Sequence, residues 1–220
     1  MDVETELKLK ITPSAAALGA EVSGIDVSRA VEAPARAALI EAWKERLVLV
    51  LRGQRITDAE LLAFSRNFGE LDPPGPNPTG KPFHQEYPEI NVISNVIEDG
   101  LPIGGLGDGE AVWHADMTYI ETPPKAGILY ALEVPPSGGN TYFADMYAAY
   151  DALDDDMKDR IEGRIAIHDG SRNSAGMLRK GHTQVTDVRE TPGARHPLVR
   201  TDPDTGRKAL FLDGQLRKLR

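Results

Sequence analysis

Apolar and polar residues alternate over residues 6–11, the period of a strand with one buried face. From Pro34 the spacing lengthens. Leu39, Ile40, Trp43 and Leu47 recur at helical intervals and share one face. Residues 48–51 predict a short buried strand closed by Arg52-Gly53. Thr57-Asp58-Ala59-Glu60 has the spacing of a capping box, so a helix should start there. Leu61, Phe64 and Phe68 form its apolar side and Gly69 its end. The proline- and glycine-rich residues 72–82 predict an irregular surface loop.

The second half changes character. Residues 90–94, 127–132, 141–143, 164–168, 197–200 and 209–212 are short strand candidates, separated by turn sequences such as Pro135-Pro136-Ser137-Gly138-Gly139. One helical stretch, residues 145–163, interrupts them. The trio Asp154-Asp155-Asp156 within it suits helix capping better than a metal cluster. The pattern predicts a mainly β fold with helical decoration, a sandwich or jelly roll, formed by residues 1–220 as a single domain.

Composition narrows the chemistry. The 220 residues carry 25 Lys and Arg against 34 Asp and Glu, a net charge of −9. An acidic chain is a poor binder of nucleic acid or anionic membranes, so neither is expected as a partner. No apolar run is long enough to span a bilayer, and Met1-Asp2-Val3-Glu4 lacks the features of a signal peptide; the expectation is a cytoplasmic protein. With no cysteine, disulfides, thiolate metal sites and cysteine nucleophiles are all excluded. Any metal must be held by imidazole and carboxylate.

Candidate ligands of that kind lie in Trp113-His114-Ala115-Asp116-Met117-Thr118-Tyr119. On a strand, residues two apart share a face, so His114 and Asp116 can converge on one ion and supply two members of a 2-His-1-carboxylate triad. The same spacing also serves a structural hydrogen-bonded pair.

The surroundings decide more than the spacing does. This block, with Glu121-Thr122-Pro123-Pro124, Pro136-Ser137-Gly138-Gly139-Asn140-Thr141, Phe143-Ala144-Asp145-Met146 and Arg195-His196-Pro197-Leu198-Val199-Arg200, resembles the taurine/2,4-dichlorophenoxyacetate dioxygenase family (the TauD/TfdA group). Gly19-Ala20-Glu21-Val22-Ser23-Gly24 and Phe68-Gly69-Glu70-Leu71 also fit, so the likeness covers nearly the whole chain in order. It implies a double-stranded β-helix that binds Fe(II), takes 2-oxoglutarate as cosubstrate, and uses molecular oxygen to hydroxylate a small organic acid, releasing succinate and CO2. It implies that His114 and Asp116 are iron ligands and that Thr141 hydrogen-bonds the 2-oxoglutarate carboxylate. Physically, a hydroxyl donates well to a carboxylate, and the Gly138-Gly139 turn admits close backbone approach. The bland alternative is that Thr141 simply opens a strand after a tight turn.

Substrate-lining candidates are Met117, otherwise a packed apolar residue, and Asn95, otherwise a strand-end hydrogen-bonding group. Residues 171–192 suit a mobile lid or an ordinary loop. The stretch Asp72-Pro73-Pro74-Gly75-Pro76-Asn77 does not preserve the histidine and tyrosine that contact substrate in the taurine enzyme, which argues against taurine. The family's third ligand, a downstream histidine, and its 2-oxoglutarate-binding arginine are expected beyond Arg220. His84, His168, His182 and His196 do not stand in a matching context, and His196 falls in a His-Pro block that marks strand entry. On this view the sequence is C-terminally incomplete and the 220 residues alone would be inactive and prone to aggregate. Self-association into a homo-oligomer is compatible with the chain. Two other readings stay open: a nonenzymatic jelly-roll binding module, and a jelly-roll metalloenzyme that does not use 2-oxoglutarate.

Overall fold

A computed structural model describes residues 8–72, 82–106, 113–173, 176, 178–179, 181–212 and 216–219. The chain divides into two compact units, one formed by Met1–Leu71 with Ile128–Asn140, the other by Asp72–Gly127 with Thr141–Arg220.

In the first unit, β1 (Lys10–Pro13) pairs antiparallel with β2 (Ala20–Ser23). Helix α1 (Ala33–Arg46) then crosses over to β3 (Leu49–Leu51), which runs parallel to β2 with Ala20 opposite Leu49. A parallel pair requires such a crossover, and a helix supplies it. Pro34 opens α1 without losing a needed donor, because the first N–H groups of a helix have no partner within it. Leu39 and Ala42 are its buried residues. Leu47 is the C-cap rather than part of the helical face, and it takes a positive φ of 67°. Helix α2 (Asp58–Ser65) starts at the expected capping box: Thr57 accepts from the Glu60 N–H, and Glu60 accepts from the Thr57 N–H. It stops at Arg66, short of Gly69. Val22, Val27, Leu39 and Phe64 form the core of this unit. β3 is half-buried rather than buried: Leu49 and Leu51 pack against the core, while Val50, 39% exposed, lies on the other face of the sheet with Glu21. Most of the loop expected over residues 72–82 lies outside the described residues.

The second unit is built from short ladders. β4 (Ile93–Ser94) pairs with β7 (Gly105–Leu106), and β5 (Ile97–Glu98) with β6 (Leu101–Pro102). The single helix expected over residues 145–163 is two helices, α3 (Met146–Asp151) and α4 (Asp155–Ile161). Asp154 causes the break: its carboxylate accepts from the Met157 N–H and caps α4, while Asp155 and Asp156 occupy the first turn. The acidic trio is therefore a helix start, as its sequence suggests. β8 (Ile165–His168) lies between β9 (Arg195–Pro197) and β12 (Leu216–Leu219). β10 (Val199–Thr201) pairs with β11 (Lys208–Leu210). The strand expected over residues 197–200 is thus split at Leu198, which is buried with Tyr150, Ile161 and Ala166 in this unit's core. Residues 127–132 and 141–143, expected as strands, are irregular. The architecture is mainly small sheets with a few helices. Among the described residues no helix is long and apolar enough to cross a membrane.

One polar contact ties α3 to the turn before β11. The Tyr147 hydroxyl donates to Asp202 at 2.8 Å, and the other oxygen of Asp202 accepts from the Asp204 and Thr205 N–H groups. The hydrogen bond from Tyr147 holds the Asp202 carboxyl below its ordinary 3.8. Burial, with the same hydrogen bond, pushes the Tyr147 phenol up to about 12. Tyr147→Phe should therefore cost about 1 kcal/mol near pH 7, a charge-assisted bond discounted for partial exposure. A depressed native carboxylate stabilises the fold above its ordinary value and loses that contribution as pH falls through the native value. The raised phenol contributes below its ordinary 10.0 and loses it as pH rises toward about 12. Urea unfolding of both proteins should show a constant gap from about pH 5 to 8 that narrows below about pH 4. A gap that widens in acid contradicts this account.

Candidate metal centre

His114 and Asp116 do not stand on a strand. Residues 113–115 are irregular and 116–119 form a turn. The side-by-side placement expected from strand alternation is nevertheless present, without a strand. His114 Nε2 and Asp116 Oδ1 lie 3.2 Å apart. Met117, the next residue, takes a φ of +50°, a left-handed conformation uncommon for a side-chain-bearing residue. The Ile120 N–H donates to the Met117 carbonyl at 3.2 Å and closes the turn. Gly127 faces the carboxylate: a Cβ on it would lie 3.7 Å from Asp116 Oδ2. The Asp116 side chain is 74% exposed and that of His114 30%.

This donor set fits a divalent first-row metal. Two ligand atoms each about 2.1 Å from an ion, at right angles, are about 3.0 Å apart. The observed separation is close to that value. One imidazole nitrogen and one carboxylate oxygen are the ligand types expected of a non-haem Fe(II) site. Among the described residues no group of three or more His, Cys, Asp or Glu side chains could hold a metal.

The other candidates fall on separate segments. Met117 is half-buried beside the pair. Asn95 is exposed in the irregular chain after β4, which is not the buried strand-end role. Thr141 is exposed and irregular, so it does not open a strand. It follows Gly138 and Gly139, whose φ values of 78° and 66° are both positive, and it precedes Asp145, the N-cap of α3. Asp169, Ser171, Arg172, Gln184, Thr186 and Thr191, among others, line a cavity of about 240 Å³.

Behind the turn stands a residue that sequence reading set aside. His196 is buried on β9, opposite Ala166 of β8. Its Nε2 lies 2.9 Å from the Thr118 carbonyl oxygen and 3.0 Å from that of Ile120. The carbonyl between them, on Tyr119, accepts from the Ala194 N–H at 2.8 Å. No local pattern announces these contacts, since His196 and Thr118 are 78 positions apart.

Comparison with known proteins gives a consistent picture. Residues 10–219 match the family described as taurine catabolism dioxygenase TauD, TfdA family. The chain is 35% identical to the alpha-ketoglutarate-dependent 2,4-dichlorophenoxyacetate dioxygenase of Cupriavidus pinatubonensis over 88% of this chain and 69% of that protein. It is 36% identical to the (S)-phenoxypropionate/alpha-ketoglutarate-dioxygenase of Sphingobium herbicidovorans, over 92% of this chain and 69% of that one. Its fold is similar to the crystal structure of a putative alpha-ketoglutarate-dependent taurine dioxygenase from Burkholderia xenovorans, with a TM-score of 0.74 and 29% identity over 96% of this chain and 66% of that one. The chain thus spans about two thirds of the length of these proteins.

Proposed function

The chain belongs to the taurine catabolism dioxygenase TauD, TfdA family, and from that premise we propose that it acts as an Fe(II)- and 2-oxoglutarate-dependent dioxygenase on a small organic acid. The family is one of oxidoreductases, and the relatives described above depend on alpha-ketoglutarate by name. The observation that carries the proposal is the 3.2 Å approach of His114 Nε2 to Asp116 Oδ1 within the family block. Two relatives named for aryloxy carboxylates, each more than a third identical, support an organic acid substrate. The proposed architecture is the family's double-stranded β-helix, with residues 1–220 belonging to one catalytic domain.

His114 and Asp116 would hold the metal through one imidazole nitrogen and one carboxylate oxygen. Fe(II), when bound, supplies the redox chemistry that couples decarboxylation of 2-oxoglutarate to hydroxylation of a substrate C–H bond. Thr141 donates a hydrogen bond from its hydroxyl to a carboxylate of 2-oxoglutarate. Met117 lines the substrate side of the metal pair, where an apolar side chain excludes water and orients without competing as a ligand. Asn95 is the polar substrate contact.

An anaerobic titration of the full-length protein tests this reading. A visible charge-transfer band should require Fe(II) and 2-oxoglutarate together. Its absence, with no tightening of metal binding by 2-oxoglutarate, would favour a nonenzymatic module. In the same titration Thr141→Val should weaken 2-oxoglutarate binding roughly tenfold to a hundredfold, the worth of one hydrogen bond to a charged group. Unchanged affinity would remove Thr141 from the site.

A further inference from the structure

We infer that His196 is a positioning residue for the metal pair, pinning the backbone of the turn that aims Asp116. This rests on the proposed role of His114 and Asp116 and adds a residue to it.

The Asp116 side chain is largely exposed, so packing around it does not fix its direction. Its aim is inherited from the backbone of residues 116–120, which includes Met117 at an unfavourable positive φ. Such a conformation persists only where its surroundings over-determine it. Here three consecutive carbonyls, those of Thr118, Tyr119 and Ile120, are all captured from one short segment, residues 194–196. Carbonyl oxygens only accept, so His196 Nε2 must carry a proton and share it between Thr118 and Ile120. That tautomer follows from the partners.

The donor is itself held rigidly. His196 is 6% exposed. Its ring meets His168 edge-on at 5.2 Å and Phe211 at 5.2 Å, and β9 is registered against β8 through Ala166 and Ile165. A ligand must be placed to about 0.5 Å to serve a metal site, and supporting hydrogen bonds provide that precision. A sheet-mounted imidazole reaching two carbonyls of the ligand turn meets this need better than contacts within the turn alone.

The test compares two amide replacements in the full-length protein. Gln carries its N–H donor at about the reach of Nε2, whereas Asn retracts it. His196→Gln should keep Fe(II) affinity within about threefold of wild type and preserve the anaerobic charge-transfer band. His196→Asn should lose about tenfold or more in Fe(II) affinity and shift or weaken that band, with the circular dichroism of the metal-free protein unchanged. Equal behaviour of Asn and wild type would overturn the inference. So would equal losses in Gln and Asn that track their melting temperatures, the signature of a core residue alone. Hydrogen exchange on metal-free wild type covers the case in which the Asn variant does not fold. The Ile120 and Ala194 amides should be protected like the β8–β9 ladder, and fast exchange there overturns the inference. The two levels separate cleanly. If wild type shows no band and binds iron no better than His114→Ala, the dioxygenase reading falls and takes this inference with it. If wild type shows the band and Asn shows it unchanged, only the inference falls.

Discussion

Alanine in place of either His114 or Asp116 should reduce 2-oxoglutarate-dependent succinate formation by the full-length protein to background, while leaving the fold intact. Each change removes one of two donor atoms 3.2 Å apart, and no described cluster of three ligand-type side chains stands by to replace it. A metal held by fewer protein donors binds more weakly and loses its defined orientation, so cosubstrate and substrate no longer meet in a productive geometry. The stability of the Asp116 variant should respond little. The Asp116 carboxylate is mostly in solvent, and such substitutions change unfolding free energy by about 0.5 kcal/mol or less. The measurement is paired: succinate release with Fe(II), oxygen and an aryloxy acid, and thermal melting of the metal-free protein. Wild-type-like decarboxylation by either variant sinks the ligand assignment. Loss of activity accompanied by a large fall in melting temperature would make the pair structural.

The second large effect lies behind the same turn. Gly193→Ala should destabilise the protein by roughly 3 kcal/mol, the sum of backbone strain and overpacking. Gly193 has a φ of 123°, and a Cβ there would be driven into the His168 carbonyl and within 2.8 Å of the Gly170 nitrogen. Neither neighbour can yield cheaply. The Gly170 N–H donates to Pro192 at 2.8 Å and the His168 N–H to Ala194 at 3.0 Å, so the clash falls inside a hydrogen-bonded ladder. Gly206→Ala is the matched control. Its φ of 70° is also positive, but a Cβ there meets nothing within 4 Å, so only the backbone penalty of about 1 kcal/mol applies. Urea midpoints of the three proteins decide the matter, and equal shifts for the two glycines would show that the close approach costs nothing.

The features legible in the sequence are those whose partners are close along the chain. Thr57 and Glu60 satisfy each other's backbone across one helical turn, and Asp154 caps a helix three residues away. Helix α1 follows from a spacing that any solvent-exposed helix must obey. The strands fared less well. Residues 127–132 have the composition of a strand yet form none, because a strand exists only where another strand accepts its hydrogen bonds. Likewise residues 197–200 look continuous until Leu198 turns into the core and divides them between two ladders.

The candidate site divides along the same line. Sequence alone narrowed the candidates: without cysteine, imidazole and carboxylate are the donors left to consider, and His114 and Asp116 stand two apart in a family block. It did not determine how they meet. Strand alternation was the local rule to apply, but the two side chains meet on irregular chain that leads into a turn with Met117 at positive φ. That conformation is costly in isolation and is held by His196 and Ala194 from almost eighty positions away. A residue's bonding partners within one turn of chain leave a periodic signature, and partners brought together by folding leave none. That is why the two candidate donors could be read directly and the histidine proposed to aim them could not.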